Sequence, residues 1–254
     1  MAAESHSMDI LGQFTLKPVL GSIGAGLQFT QSNAMMVAAG AVTLGLLYFG
    51  MRPRALVPGR LQAAAEVSYN FIHDMCVEQV GEEGKRFFPF VFTVFFFVLM
   101  GNLLGLIPGM FTFTSHIAVT FGLALIVWAL TTVVALKIHG LHFFSYFFPA
   151  GVPIVLAPLI VVIEVISYLS RPISLAVRLF VNMVVGHVMF ELFASFIVML
   201  ALGGALGIVG GVIALGPLAI NVALVGFELL VCFLQAYVFA ILTCIYLHDA
   251  VHLH

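Results

Sequence analysis

Charge is what this sequence has least of: only 8% of its residues are Asp, Glu, Lys or Arg, where a soluble domain carries about 25%. With 63% hydrophobic residues and apolar runs near or beyond bilayer-crossing length, a water-soluble class is excluded and a polytopic helical membrane protein is expected. A transmembrane barrel would alternate apolar and polar residues, and no such alternation is visible. Cysteine is scarce too. Cys76, Cys232 and Cys244 have neither CxxC nor metal-ligand spacing, so they read as small buried residues. There is no Walker loop, no GxGxxG and no basic patch, so neither a nucleotide site, a nucleic-acid surface, a cofactor nor a metal is expected. The net charge of −2 carries little information, because most charges sit in a few loops. The first residues, "MAAESHSMDILGQFTLKP", have no basic run before an apolar core and do not resemble a secretory signal peptide.

What is present is a series of long apolar segments. Residues 33–51, "NAMMVAAGAVTLGLLYFGM", form a first span that stops at "RPRALVPGR". From 60 to about 80, apolar groups at Leu61, Ala64, Ala65, Ile72, Met75, Cys76 and Val80 face one way and polar groups the other. That pattern is an amphipathic helix for the membrane surface, with Gly81 as its stop. "FFPFVFTVFFFVLMGNLLGLIP" is a second span, 115–138 a third, and "IHGLHFFSYFFPAGVP" an aromatic interfacial loop. From Pro158 to Leu200 only Pro172 interrupts an apolar run of 43 residues, ~64 Å as a helix and about twice the hydrocarbon thickness. It is either two spans breaking near "SRPIS" or one long tilted helix. Residues 217–248 are also too long to stand upright, and two overlong neighbours favour a tilted hairpin. The glycines at 203, 204, 207, 210 and 211 read as close helix approach at the turn between them.

The expected fold is all-α, a single integral membrane domain over 1–254. It comprises a tail (1–32), a first span (33–52), an amphipathic segment (58–85), spans at 86–108 and 115–138, and a long hairpin (151–200 and 205–249). Arg52, Arg54, Arg60, Lys85 and Arg86 fall between the first two spans, which places that loop inside and, with five spans, the N-terminus outside and the C-terminus inside.

An arginine at the bilayer centre costs roughly 2.5–3.5 kcal/mol on insertion scales, so the charges within the apolar segments need a reason. Glu164, Arg171 and Arg178 recur at seven, nearly one helix face, and Asn182 joins them. In the last helix Asn221, Glu228 and Gln235 also recur at seven. His187, nine residues past Arg178, lies half a revolution away, with Glu191 one turn beyond it. Imidazole and a partly hydrated carboxylate exchange protons near neutral pH; a guanidinium does not. The grouping looks like proton-accessible sites around a fixed positive charge. Plainer readings stand beside it. Arg171 can be an interfacial snorkelling residue, Glu164 its structural partner, and His187 with Glu228 an inert buried pair. Asn102 can be helix glue beside a Gly101–Gly105 helix contact. His139, His142, His248, His252 and His254 read as interfacial or tail residues.

The segments "RPISLAVRLFVNMVVGH" and "LQAYVFAILTCIYL", with "GNLLGLIP" and the amphipathic stretch, resemble subunit a of the F-type rotary ATP synthase over most of the chain. The resemblance implies a proton-conducting stator subunit, without a catalytic site of its own, in which Arg178 faces a rotating ring of c subunits. Asn182 and Gln235 match polar positions around that arginine, and His187 and Glu228 match the imidazole–acid pair of the channel behind it. With the histidine preceding the glutamate in the chain, the pair is similar to that of the mitochondrial and α-proteobacterial branch. Gly105 departs from relatives that carry an acid there. On this reading Arg178, Asn182, His187, Glu228, Gln235, Glu164, Glu191, Asn221, Arg171 and Asn102 serve proton translocation. Glu228 and His187 stand on the outer side, Glu164 and Arg171 near the inner exit. The implied partners are the c-ring, b-type peripheral-stalk subunits, the rest of the synthase and the bilayer, in a bacterial plasma membrane or alternatively a mitochondrial inner membrane. A secondary transporter is the rival from another class, but it predicts inverted repeats, which the two halves do not show. A structural assembly subunit would not need Arg178.

Overall fold

The computed structural model describes residues 18–23, 27–51, 59–107, 110–148, 157–202 and 207–252. Six α-helices dominate: α1 (Gln31–Met51), α2 (Arg60–Val80), α3 (Gly84–Gly105), α4 (Ile117–His139), α5 (Ala157–Leu202) and α6 (Gly207–Val251). All but α2 are long and apolar enough to cross a membrane. Part of the expected N-terminal tail is instead an antiparallel strand pair, β1 (Pro18–Ile23) with β2 (Leu27–Thr30). Its four- and six-residue apolar stretches are too short to show a helical period, and strand pairing is set by a partner that local pattern does not name.

The choice at "SRPIS" falls to a single helix. α5 runs 46 residues with Pro172 inside it, and α6 runs 45 with Pro217 inside it. At 1.5 Å per residue each is ~68 Å long, more than twice a ~30 Å hydrocarbon core, so neither can stand upright in a bilayer. They pack on each other, and α3 packs on α6 while α4 packs on α5. Interior and exterior follow the packing of helices in lipid. The buried residues come largely from α2, α3, α5 and α6, while Val162, Ile163 and Ile166 on α5 stay exposed.

α2 is held by one face. Ile72, Met75, Cys76 and Val80 recur at three and four and are buried in the core, while Glu66, Asp74 and Glu78 are exposed. Leu61 and Ala64 depart from the expected inner stripe and are exposed. The helix stops at Gly81, whose φ of 87° suits a residue without a Cβ. The aromatic loop after α4 forms a 3-10 segment, Gly140–Phe147, whose Phe143 and Phe147 pack edge-on against Tyr168 of α5.

Two glycine expectations change. Gly101 and Gly105 do not serve a helix–helix contact: a Cβ at Gly101 would strike the Phe113 ring, and one at Gly105 would strike the Thr112 side chain. Small residues let backbone approach whatever lies opposite, and here that is the loop returning from α3. At Gly211 a Cβ would meet nothing within 4 Å among the described residues, so this glycine makes no close approach to any of them. Gly203, Gly204, Arg52, Arg54, Pro108 and His254 lie outside the described residues.

Candidate proton-path site

α5 and α6 run antiparallel, and their polar residues meet as successive rungs. At one end Arg171 Nη2 lies 3.0 Å from Asp249 Oδ2, with its guanidinium over the rings of Tyr168 and Tyr246, 5.4 and 5.1 Å from their centroids. A planar cation between two aromatic faces and beside a carboxylate is well matched in charge and shape. Glu164, the suggested partner of Arg171, has no ion pair among the described residues; Asp249 takes that place from the neighbouring helix. Tyr168 also hydrogen-bonds to Thr132 of α4 at 2.5 Å, which ties a third helix to this end.

Further along, Asn182 Nδ2 donates to Gln235 Oε1 at 2.7 Å. This joins the two seven-residue stripes that periodicity drew separately on each helix. One turn on, Glu228 is buried against Gly186, where a Cβ would collide with its carboxylate. Glu228 Oε1 has no hydrogen-bond partner among the described residues. The residue after Gly186 is His187, whose Nε2 lies 2.8 Å from Thr112 Oγ1 in the loop after α3. Beyond this rung a cavity of about 380 Å³ opens, lined among others by Gly105, Met110, His187, Glu191, Leu218 and Asn221. The side-chain oxygen of Asn221 is buried there without a partner among the described residues. Buried polar atoms left this way are uncommon in stable cores and call for water or an ion.

Between the Arg171–Asp249 rung and the Asn182–Gln235 rung the helices face each other through hydrocarbon. Leu175, Leu179, Phe239, Ala240, Cys244 and Leu247 are fully buried there. The rise along the helix from 171 to 182 is ~16 Å. Arg178 belongs to this level but not to this interior. It is exposed, among Ile173, Val177, Val181 and Val185, which are exposed as well, and it has no ion-pair partner among the described residues.

The half-turn between Arg178 and His187 thus separates an exposed face from a face turned into the bundle. Asn102 is completely buried, and neither its side-chain oxygen nor its nitrogen has a hydrogen-bond partner among the described residues. It is therefore not glue between helices by any hydrogen bond seen there. Glu191 is half-buried at the cavity wall. Thr112, Gly186, Tyr168 and Tyr246 were not singled out by sequence pattern. A seven-residue spacing marked neither tyrosine, and Thr112 sits in a loop with no charge to flag it. Cys76 and Cys244 face each other with sulfurs 3.7 Å apart across α2 and α6, buried as their apolar surroundings predicted. Among the described residues no group of three metal-ligating side chains occurs.

The family model described as ATP synthase A chain matches residues 33–248. The chain is 66% identical over 254 residues to ATP synthase subunit a of Granulibacter bethesdensis, covering all of both chains. It is 61% identical over 251 residues to ATP synthase subunit a of Gluconacetobacter diazotrophicus, covering 99% of each. To the subunit of the same description in Rhizobium etli it is 50% identical over 248 residues, 97% of this chain and 98% of that one.

Proposed function

The chain belongs to the ATP synthase A chain family, and on that premise we propose that it couples proton flow to rotation of a c-ring through Arg178 and two offset half-channels. Membership makes it a multi-pass membrane subunit of the proton-translocating synthase complex. What supports the finer reading is the placement of Arg178. An exposed apolar helix face can rest against lipid, but a guanidinium on that face with no ion pair among the described residues cannot do so without a cost of roughly 2.5–3.5 kcal/mol or more. A partner that presents a carboxylate to it removes that cost, since opposite charges attract strongly where water is scarce. A rotor of c subunits carrying such a carboxylate is the partner that fits.

The mechanism follows from the two polar ends. With the loop between α1 and α2 inside, the end of α3, the middle of α5 and the first half of α6 lie toward the outside. The cavity at His187, Glu191 and Asn221 is then the outer half-channel, and Glu228 and His187 stand at its inner limit. The Arg171–Asp249 end, with Glu164 nearby in sequence, lies toward the cytoplasm as the exit. A rotor carboxylate leaves Arg178, takes a proton from the outer path, and travels as a neutral acid through lipid. On its return it gives the proton to the inner path. Arg178 repels protons, and the buried hydrocarbon between the rungs denies water a straight route. Each charge crossing yields roughly 2.3 kcal/mol per 100 mV. The c-ring, b-type stalk subunits and a bacterial plasma membrane are the surroundings this reading requires.

Arg178→Ala in inverted membrane vesicles is the test. ATP-driven proton pumping and proton-driven ATP synthesis are expected to vanish while the complex still assembles. Persistence of coupled synthesis in vesicles of normal proton tightness would rule the reading out. Loss of solute uptake instead would point to a transporter.

A further inference from the structure

Resting on the reading that His187 serves the outer proton path, we propose that Thr112 is the positioning residue of His187, fixing which ring nitrogen carries the exchangeable proton. The hydroxyl of Thr112 is within hydrogen-bond distance of two groups, Gly105 O at 3.2 Å and His187 Nε2 at 2.8 Å. It has one proton to donate. Gly105 is the last residue of α3, so its carbonyl is among those that a helix end leaves without a donor in the helix itself. A carbonyl can only accept, and the hydroxyl proton therefore goes to Gly105 O. The same oxygen then accepts from His187, which must hold its hydrogen on Nε2.

That assignment leaves the lone pair of neutral His187 on Nδ1. When the ring is protonated, Nε2–H can stay on Thr112 while Nδ1 takes up and returns the proton. One nitrogen is anchored and the other exchanges, and the ring need not flip between turnovers. The histidine rule that the bond made by one nitrogen sets the state of the other applies directly.

The arrangement is built rather than incidental. Thr112 is buried, and it reaches Gly105 only because that residue has no Cβ; a methyl there would collide with the Thr112 side chain. Ser115 Oγ donates to Thr112 O at 2.6 Å, which fixes the loop backbone under the threonine. The neighbouring Phe113 ring fills the space over Gly101 and is fully buried. Both glycines of the α3 end are thus spent on bringing one hydroxyl to one imidazole at the wall of the cavity.

Thr112→Val keeps the shape and removes the hydroxyl. In inverted vesicles from cells making the full complex, normalised to assembled subunit, ATP-driven proton pumping should fall about fivefold, the loss of one ordinary net hydrogen bond. Thr112→Ser keeps the hydroxyl and should restore most of the rate. Gly105→Ala, which displaces the threonine without altering it, should lose as much as Thr112→Val. An unchanged rate in Thr112→Val, or an equal loss in Thr112→Ser, overturns the proposal. Should Thr112→Val fail to assemble, the serine and Gly105→Ala variants decide alone. A nitrogen-15 difference spectrum of histidine-labelled complex, wild type minus His187→Gln, reads the tautomer itself: protonated Nε2 supports the assignment and protonated Nδ1 in the neutral ring refutes it. His187→Gln also separates the two levels of inference. If it pumps normally, the role of His187 in the proton path fails; if it is impaired while Thr112→Val is not, only the positioning role fails.

Discussion

Gly186 and Glu228 form a pair in which the smaller residue does the specifying. The carboxylate occupies the space a Cβ would take, so Gly186→Ala should push Glu228 off its rung, at an overpacking cost of about 1–3 kcal/mol. Proton pumping in vesicles is expected to fall by more than the amount of assembled subunit does; an equal fall in both would make the glycine a folding residue only. Arg171 and Asp249 are different in kind. Their side chains retain 19% and 28% exposure, so the ion pair is partly screened, and removing it should cost about 1–2 kcal/mol rather than the full buried value. Asp249→Asn is expected to lower the thermal aggregation midpoint of the solubilised complex, with Asp249→Glu closer to wild type. The identities of these charged residues were legible in the sequence, because a charge in hydrocarbon stands out by its expense. Their partners were not. Arg171 had a candidate seven residues away in Glu164, yet the carboxylate that reaches it comes from α6, and no local spacing encodes which side chain an antiparallel neighbour delivers.

The helices themselves follow from composition, and the segments joining them do not. Lipid leaves no donor or acceptor for an open backbone, so apolar runs of this length must be helical, and α5 is continuous through Pro172 as the absence of any other stop allowed. The loop between α3 and α4 carries more of the site than any pattern in it announced. His116, at the N-terminus of α4 and outside the span, has a buried Nε2 without a partner among the described residues, and burial pushes its pKa below the ordinary value. In the folded protein the neutral ring is therefore preferred, while the unfolded loop takes up a proton nearer pH 6.5. The unfolded state binds more protons in that window, so the loop's stability rises with pH and is lost as pH falls from about 6.5 through the lowered folded value. Hydrogen exchange over 110–118 should quicken from pH 7.5 to pH 5.5, and His116→Gln should flatten the change. A response of the same size in the glutamine variant would assign it to another group.

At the scale of the whole chain, the hairpin of α5 and α6 keeps two polar ends apart with a block of mostly apolar side chains, in which the Cys244 thiol is buried and the Thr243 hydroxyl is turned back onto its own helix at Phe239 O. Leu179→Asn places an amide in that block beside Arg178. Passive proton leak through membranes stripped of the catalytic sector is expected to rise well above wild type, whereas Ala223→Asn on the exposed side of α6 should leave it unchanged. A tight Leu179→Asn membrane would show that Arg178 alone blocks the leak. The sequence by itself determined that the chain is helical and membrane-embedded, with two overlong helices whose few charges recur on one face each. It did so because hydrocarbon penalises every polar group, and every exception is therefore visible at once. Only the tertiary structure decided that Arg178 faces outward while His187 faces in, that Asn182 meets Gln235, that Asp249 rather than Glu164 holds Arg171, and that Thr112 reaches His187. Those pairings depend on the register of antiparallel helices and on a returning loop, and register is fixed by the fit of side chains from distant parts of the chain.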